Sequence, residues 1–442
     1  MAAIGCSALL SWGAFWVHKV LILSCSGGSG LIQAALAKEQ EIQAQVPSAR
    51  FVRRDMLKDW FWKFAGRYSI RKWDQAQRVG DIQTLEWLIK RQSLADLFFW
   101  PLIFYRAITT FFREEIDRII DTQPLGTSAI LLALRIYNWK SGKRIVLEKV
   151  AVDLPTWRNT HFFQPIQNLS KKSKKHLRLI TIPPLPDTPE QSPQEFWEKH
   201  CGLRLEEIVY ETYPVRQSFR KFQGKERMNT PFSFEARFWS SEEGKILAHA
   251  IEQGSINAKL EESHVRFSIA PQDRVITLLL GSQPAFSATL GYVNQVQKLV
   301  DQAPSVGTVH LFVLCAKHVP GEDSLFKRVA SLATKSKLNV IPLSFQNDEV
   351  IAPLFFRSDL TCTRSGGHTA MELMCTMQGE IWIHSEKKRE HQDLSLEELL
   401  TGIPGWEAGN ALYMHKFHNA KIVTPEQCTP HLQTLLQRWG SF

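Results

Sequence analysis

The chain has 442 residues, of which 44% are hydrophobic and 22% are charged, and its formal net charge is +9. This length favours two packed domains, and the composition is that of a soluble globular protein with an ample core. The basic balance favours an anionic partner such as a nucleotide, a nucleic acid or an anionic lipid. Seven scattered cysteines without C-x-x-C spacing argue against a disulfide framework or a zinc site and indicate reduced thiols in a cytosolic fold.

The first predicted elements are an apolar extension and a strand. Residues 1–18 lack the basic start of a signal peptide and are short for a membrane span, so a membrane-touching segment, a buried helix and an over-long gene start stay open. Residues 20–26 predict a buried parallel strand that leads through a glycine loop into a helix. The loop residues are Gly27, Gly28, Ser29 and Gly30. They do not match the dinucleotide-binding fingerprint, because Gln33 takes the place of its third glycine.

The next region is basic and aromatic. Residues 48–55 predict a second strand that ends at Asp55, and residues 50–113 hold thirteen Lys or Arg against six Asp or Glu. Within this region, residues 94–112 are apolar but too interrupted by polar residues to span a bilayer comfortably. They predict either a helix lying in a membrane interface or a buried helix between domains.

Strand–helix alternation continues after this region. Residues 119–123 and 144–153 predict strands, and Asp153 ends the second one, where open α/β sheets bind ligands. Residues 168–178 form a basic cluster without acids, which fits a solvated loop, a nuclear localisation signal, a phosphate contact or an anionic-lipid contact. Residues 209–216 predict the strand that closes the first domain.

The second half repeats the pattern after a polar stretch, residues 217–272, that predicts helices joined by loops. Residues 274–280 predict a strand, and Gly281, Ser282 and Gln283 form the loop after it. Further strands are predicted at 308–315, 338–343 and 380–384, and helices at 288–300, at 348–358 and from 405. Two such runs predict two doubly wound α/β domains that face a cleft, which is the expected ligand site.

A strand, a polar loop and a helix N-terminus are predicted between residues 359 and 373. The free backbone N–H groups of this helix would suit an anion such as a phosphate or diphosphate. Gly366 and Gly367 let a ligand approach the backbone closely. Glu372 follows on the helix, where its carboxylate could accept hydrogen bonds from a ribose diol. An ordinary strand-to-helix turn is the alternative.

Three motifs resemble glycosyltransferases of the GT-B fold, in particular the lipid-II-forming N-acetylglucosaminyltransferase of peptidoglycan synthesis and monogalactosyldiacylglycerol synthase. The stretch from Arg364 to Glu372, Thr369 included, matches their R-S-G-x-x-T-x-x-E nucleotide loop. Gly281-Ser282-Gln283 matches their G-S-Q. Residues 406–411 are similar to their G-Q-E-x-G-N, with Trp406 in place of the glutamine.

The resemblance implies a nucleotide-sugar site in the C-terminal domain that needs neither a metal ion nor a cofactor. The contacts it implies are Ser365, Gly366 and Gly367 to the diphosphate, Glu372 to the ribose, Phe345 to the base, Glu407 and Asn410 to the donor sugar, and Gly28, Ser29 and Gly30 to the diphosphate and acceptor. Arg364 and Arg216 would offset the charge of the leaving diphosphate, or form ion pairs instead.

One departure from the family concerns the glycine loop, which ends in histidine in the family and in Leu31 here. Leucine can neither accept a proton nor orient a sugar, so Asp55 and Asp153 are the alternative catalytic bases. We expect a cytoplasmic, peripheral membrane glycosyltransferase that moves a sugar from a UDP-linked donor to a lipid or other membrane-surface acceptor. The alternatives are a non-catalytic GT-B binding module and an enzyme of the sugar 2-epimerase type.

The expected organisation follows from these assignments. It comprises the extension 1–18, an acceptor-side and membrane-side domain over 19–215, a nucleotide-sugar domain over 216–425 and a C-terminal helix over 426–442. A membrane surface or anionic lipid would bind through residues 50–113 and 168–178. No nucleic-acid partner is expected.

Overall fold

The computed structural model describes residues 19–26, 29–61, 63–226, 230–303, 305–332, 337–388 and 394–441. The predicted extension 1–18 and the loop residues Gly27 and Gly28 lie outside these described residues. Within the described part, the chain forms two six-stranded parallel sheets and one three-stranded antiparallel sheet.

The first parallel sheet has helices on both faces. Its strands are β1 (Lys19–Ser24), β2 (Arg50–Asp55), β3 (Arg118–Asp121), β4 (Leu147–Val150), β5 (Leu177–Thr181) and β6 (Ile208–Tyr210), in the spatial order β2-β1-β3-β4-β5-β6. Alternate residues of a strand face opposite sides, so Leu21 and Leu23 join one apolar cluster while Val20 and Ile22 join another. A strand that is buried on both faces therefore reads as a continuous apolar run.

The helices of this half are α1 (Ser29–Gln45), α2 (Lys63–Val79), α3 (Ile82–Lys90), α4 (Gln92–Glu114), α5 (Thr127–Ser141), α6 (Thr160–Gln167), α7 (Lys171–Lys174) and α8 (Pro193–Cys201), with a π-helical turn at Met56–Trp60 and a 3₁₀ turn at Leu205–Glu207. Ser192 caps α8 by accepting from Glu195 N, while the Glu195 carboxylate accepts from Ser192 N.

A small antiparallel sheet precedes the second parallel sheet. The elements here are α9 (Gln217–Arg220), β7 (Phe232–Arg237), α10 (Ser241–Gln253), β8 (Asn257–Leu260) and β9 (His264–Ile269), and the strand order is β7-β9-β8. The prediction of helices joined by loops over 217–272 was therefore wrong where the chain forms the three strands β7, β8 and β9. Their signal is the two-residue alternation of buried side chains, which places Val265, Phe267 and Ile269 on the core face.

The second parallel sheet repeats the doubly wound pattern. Its elements are β10 (Arg274–Leu279), α11 (Phe286–Asp301), β11 (Val309–Leu314), α12 (Leu325–Ala330), β12 (Leu338–Leu343), α13 (Asp348–Arg357), β13 (Leu360–Thr363), α14 (Gly367–Thr376), β14 (Glu380–His384), α15 (Leu396–Thr401), α16 (Gly405–His418), β15 (Lys421–Val423) and α17 (Cys428–Gly440). The spatial order is β12-β11-β10-β13-β14-β15. Two doubly wound domains of the GT-B type, facing a cleft, are thus confirmed, although β5 and β15 were not predicted.

Helix α4 matches neither alternative for residues 94–112 completely. Ile103, Ala107 and Phe111 are buried on one face of the helix. Leu97 and Phe98 on another face are 75% and 66% exposed. Among the described residues, α4 is the one helix whose length and hydropathy would also allow it to cross a membrane. In this fold, however, it lies along the domain surface with an apolar face left uncovered.

The basic cluster 168–178 is only partly available to an anion. Lys171, Lys172 and Lys175 are exposed. Lys174 is buried, and its Nζ donates to the carbonyl oxygens of Gln167, Cys201 and Gly202. Lys174 therefore stabilises the ends of α6 and α8. Its predicted role in a phosphate or lipid contact was wrong.

Candidate functional site

A cavity of about 400 Å³ lies where the carboxyl ends of the two parallel sheets face each other. The N-terminal half lines it with Leu31 on α1, Asp153 after β4 and His161 on α6. The C-terminal half lines it with the loops after β10, β11, β12 and β13 and with the first turn of α14. Loops at the carboxyl ends of parallel strands converge in this way, which explains why residues distant in sequence meet here.

Gly366 and Gly367 at the start of α14 have different surroundings: the first borders the cavity and the second contacts the opposite half of the chain. A Cβ on Gly366 would meet no atom within 4 Å, and its φ of −58° is ordinary, so room in the cavity explains this glycine. A Cβ on Gly367 would lie 2.1 Å from the Val152 carbonyl oxygen, so this glycine lets the two halves approach. The first turn of α14 borders the cavity and offers it backbone N–H groups that have no partner within the helix.

Arg364 and Glu407 form a buried ion pair at the cavity wall, with 3.3 Å between Arg364 Nε and Glu407 Oε2. Arg364 Nη1 is buried and has no hydrogen-bond partner in the described chain. A buried N–H without an acceptor carries an uncompensated loss of hydration. An anionic oxygen bound in the cavity would remove this loss.

Glu372 on α14 lies between Arg216 and His368. Arg216 donates from Nε to Glu372 Oε1 at 2.6 Å and from Nη2 to Oε2 at 3.0 Å. His368 Nε2 lies 2.8 Å from Glu372 Oε1. Burial by itself would raise the pKa of Glu372, but His368 and Arg216 together lower it below its ordinary value. Glu372 is therefore a buried carboxylate whose two oxygens both have protein partners.

Asp153 links the two domains and faces a histidine. Its Oδ1 accepts from Asn410 Nδ2 at 2.9 Å, and its Oδ2 lies 3.5 Å from His161 Nε2. Burial raises the pKa of Asp153 to about 7, although the Asn410 hydrogen bond opposes this, and burial lowers the pKa of His161 to about 4. The pair can therefore exchange a proton with a ligand near neutral pH.

Helix α2 from the N-terminal half reaches across the cleft. Trp73 on α2 stacks on Trp406 of α16 with ring centroids 5.6 Å apart, and both residues line the cavity. The His161 ring also lies 5.6 Å from Trp406. Arg78 Nε donates to Gln283 Oε1 at 2.6 Å. The cavity is thus closed on this side by an aromatic wall built from both halves.

The structure brings most predicted site residues to the cavity. Those that line it are Gly30, Asp153, Arg216, Gly281, Ser282, Phe345, Arg364, Gly366, Gly367, Thr369, Glu372 and Glu407. Phe345 is 52% exposed, so its ring is accessible at the cavity edge. Ser29 begins α1 immediately before Gly30.

Four predicted residues use their side chains on the protein itself. Ser365 Oγ donates to the Glu407 carbonyl oxygen at 2.7 Å, and Gln283 accepts from Arg78. Asn410 donates to the Ser365 carbonyl oxygen and accepts from Leu154 N at 2.7 Å, in addition to its bond to Asp153. Asp55 Oδ1 accepts from the backbone N–H groups of residues 57 and 58. Asp55 thus caps the turn after β2 and is not among the residues that line the cavity.

Three of the cavity residues that the sequence did not single out are His161, His368 and Trp73. His161 follows its acidic partner Asp153 by eight residues, and His368 precedes its acidic partner Glu372 by four residues. Neither spacing is a recognised motif by itself. Trp73 lies in α2, within the basic, aromatic region 50–113 that was predicted to bind a membrane surface. A helical i, i+4 pairing of His368 with Glu372 was the one signal that could have been found.

No family model and no curated protein matches the chain. Among solved structures, MurG of Acinetobacter baumannii is 12% identical with a TM-score of 0.44, covering 96% of this chain and 92% of that one. The glycosyltransferase of kitacinnamycin is 11% identical with a TM-score of 0.46, covering 96% and 91%. The UDP-GlcNAc 2-epimerase of Neisseria meningitidis, solved with UDP-GlcNAc bound, is 10% identical with a TM-score of 0.39, covering 95% of this chain and 100% of that one. At these scores the likeness carries no argument about activity.

Proposed function

We propose that the chain is a glycosyltransferase that moves a sugar from a UDP-linked donor to a hydroxyl group of a membrane-surface acceptor. One observation carries the proposal: the cavity has a helix N-terminus and a buried cation on one wall and a carboxylate–imidazole pair on the other. The first wall suits the diphosphate of a nucleotide sugar. The second suits removal of a proton from an acceptor hydroxyl.

The donor would occupy the C-terminal side of the cavity. Its diphosphate would lie beside Gly366, where a Cβ meets open space, and would accept from Arg364 Nη1. Phe345 at the cavity edge would stack on the base. The contacts predicted between Glu407 and the donor sugar, and between Glu372 and the ribose, stay predictions.

The transfer step would use His161 as the base. Its neutral imidazole would accept the proton of the acceptor hydroxyl while the hydroxyl oxygen bonds to the anomeric carbon. The bond from the anomeric carbon to the diphosphate oxygen breaks, and UDP leaves with the electron pair. The proton would pass from the imidazole to Asp153, whose pKa of about 7 is the higher of the two, and Arg364 with the α14 N-terminus would offset the charge on UDP.

The exposed face of α4 supports a membrane-surface acceptor. Leu94, Leu97 and Phe98 form an uncovered apolar face, and Arg91 and Arg106 lie exposed on the same segment. Apolar side chains combined with basic ones favour an anionic lipid surface. A helix that packs one face on the domain can present this other face to lipid without leaving the fold.

A non-catalytic module that binds a nucleotide sugar is the second candidate. Leu31 lines the cavity and supplies no group that can accept a proton. Ser365 and Asn410 use their side chains on the protein rather than on the cavity. A 2-epimerase type of enzyme is the third candidate, and it would change the donor sugar without an acceptor.

Binding is tested by filling the open space beside Gly366. We expect native protein to bind UDP in titration calorimetry and Gly366→Val to lose this binding, because the branched side chain would take the place of the diphosphate. Gly307→Val is the matched control, since a Cβ on Gly307 also meets no atom within 4 Å but lies outside the cavity. Equal UDP affinity in Gly366→Val and native protein would refute the site.

Turnover is tested by UDP release from UDP-sugars with and without lipid extract. We expect lipid-dependent release, reduced by about 10²–10⁴-fold in His161→Gln with UDP affinity retained. UDP binding without turnover in native protein would favour the non-catalytic module. Conversion of the donor sugar without lipid would favour the epimerase type.

A further inference from the structure

We propose that His368 is a ligand of the donor diphosphate and that Glu372 positions His368 and Arg216 for this contact. The inference rests on the proposed function, because it concerns the same cavity. It goes beyond that function by giving a specific role to a residue outside the matched motif positions. It also replaces the ribose role expected of Glu372 with a role at the phosphates.

The position of His368 carries the first step. The residue lies in the first turn of α14, directly after the two glycines, and it lines the cavity while only 3% of its surface is exposed. A Cβ placed on Gly30 would lie 3.6 Å from His368 Cβ. The imidazole therefore sits between the α14 N-terminus and the glycine loop of the opposite domain, where a diphosphate bound by both would pass.

The two ring nitrogens of His368 have different surroundings. Nε2 lies 2.8 Å from Glu372 Oε1. Both ring nitrogens are buried, and neither makes a hydrogen bond of acceptable geometry within the described chain. A buried ring nitrogen without a partner, beside an open space, indicates a ligand atom that completes it. A phosphate oxygen fits, because it can accept a hydrogen bond from a ring N–H of His368.

The charges around His368 carry the second step. Glu372 faces it directly, Arg216 binds both oxygens of Glu372, and Asp153 and Arg364 border the same cavity. Glu372 and Asp348 balance Arg216, and Glu407 is paired with Arg364, yet Arg364 Nη1 and the His368 ring are left without hydrogen-bond partners in the described chain. The oxygens of a diphosphate would accept hydrogen bonds from both groups, and the carboxylate of Glu372 holds the imidazole in place for this contact.

The test compares UDP with uridine, which lacks the phosphates. We expect His368→Ala to weaken UDP binding about 10- to 100-fold in titration calorimetry and to leave uridine binding unchanged. Glu372→Gln should act in the same direction on UDP and spare uridine, since it removes the charge that positions His368. His249→Gln, on the exposed side of α10, is the matched control and should bind both ligands as native protein does.

Each outcome decides between roles. Equal losses for UDP and uridine in Glu372→Gln would assign this residue to the ribose and overturn its positioning role. Native UDP affinity in His368→Ala and His368→Gln would overturn the phosphate role of His368 while leaving the proposed function intact. A native protein that binds no nucleoside diphosphate would overturn the proposed function and this inference together. The binding stoichiometry reports the folded fraction, so misfolding of a variant is recognised.

Discussion

At the scale of single residues, Asp153 and His161 owe their chemistry to burial. Burial disfavours the charged form of each group, so the pKa of Asp153 rises to about 7 and the pKa of His161 falls to about 4. Near neutral pH the imidazole is uncharged and can accept a proton, and the carboxylate is partly ionised beside it. The shifted pKa of Asp153 can be tested without an activity assay, because a pKa that differs between the folded and unfolded chain makes the free energy of unfolding depend on pH.

We expect Asp153→Asn to stabilise the protein more at pH 8 than at pH 5. The folded pKa of about 7 exceeds the ordinary pKa of 3.8, so the native fold holds a proton that the unfolded chain has lost, and its stability falls as pH rises from about 4 to about 7. Asparagine removes this fall, which amounts to about 2–3 kcal/mol between pH 5 and 8. Thermal melts at the two pH values measure the difference.

The matched control is Asp323→Asn, because Asp323 is exposed at a surface ion pair with Arg328. Its effect should differ little between the two pH values. An equal effect of Asp153→Asn at pH 5 and pH 8 would show that the carboxyl is not shifted by burial.

At the scale of elements, α4 has one face packed on the domain core and another face exposed. Phe99 stacks on Phe61 with ring centroids 4.3 Å apart and packs against the domain core. Leu97 and Phe98, its neighbours, are mostly exposed. Because consecutive helical residues point about 100° apart, a change at one position tests the core and a change at the next tests the surface.

We expect native protein to float with anionic liposomes and to be released by salt, and Leu94→Ser with Leu97→Ser to float less with an unchanged Tm, because these two leucines are 64% and 75% exposed. The exposed side chains would lose their burial in lipid, while the core would be untouched. Phe99→Ser is the contrasting control and should lower the Tm, since it opens a space in the core. Flotation that is equal in native protein and the double variant would exclude α4 as the lipid contact.

At the scale of the whole molecule, close backbone contacts join the two domains behind the cavity. A Cβ on Gly409 would lie 2.3 Å from Thr156 Oγ1 and 2.4 Å from Asn159 Oδ1, both on the opposite domain. Asn410 beside it bonds Asp153 and Leu154 across the same interface. Because the cavity is lined from both sides, this interface sets the distance between the diphosphate wall and the proton-transfer pair.

We expect Gly409→Ala to destabilise the protein by about 1–3 kcal/mol and to weaken UDP-induced stabilisation, because the added methyl group would push the domains apart. Gly405→Ala on the same helix is the matched control, since its Cβ would meet no atom within 4 Å. Differential scanning calorimetry with and without UDP measures both effects. Equal behaviour of the two alanine variants would show that the interface tolerates separation at this point.

The amino-acid sequence by itself determined the two doubly wound domains and the chain order of most elements. Buried parallel strands need continuous apolar runs, and each run here is followed by a glycine loop or a helix pattern, so these signals are local. The stretch from Arg364 to Glu372 also located one wall of the cavity, because a strand, a tight loop and a helix N-terminus form within fifteen residues.

Only the tertiary structure decided which side chains face the cavity and which serve the fold. Asp55 ends β2 and Asp153 lies three residues after the end of β4, yet one caps a turn and the other faces His161. Gly366 and Gly367 are neighbours, yet one borders open space and the other allows the domains to touch. The reason is physical: hydrogen-bond partners and burial come from residues up to 257 positions away in the chain, and no local pattern encodes them.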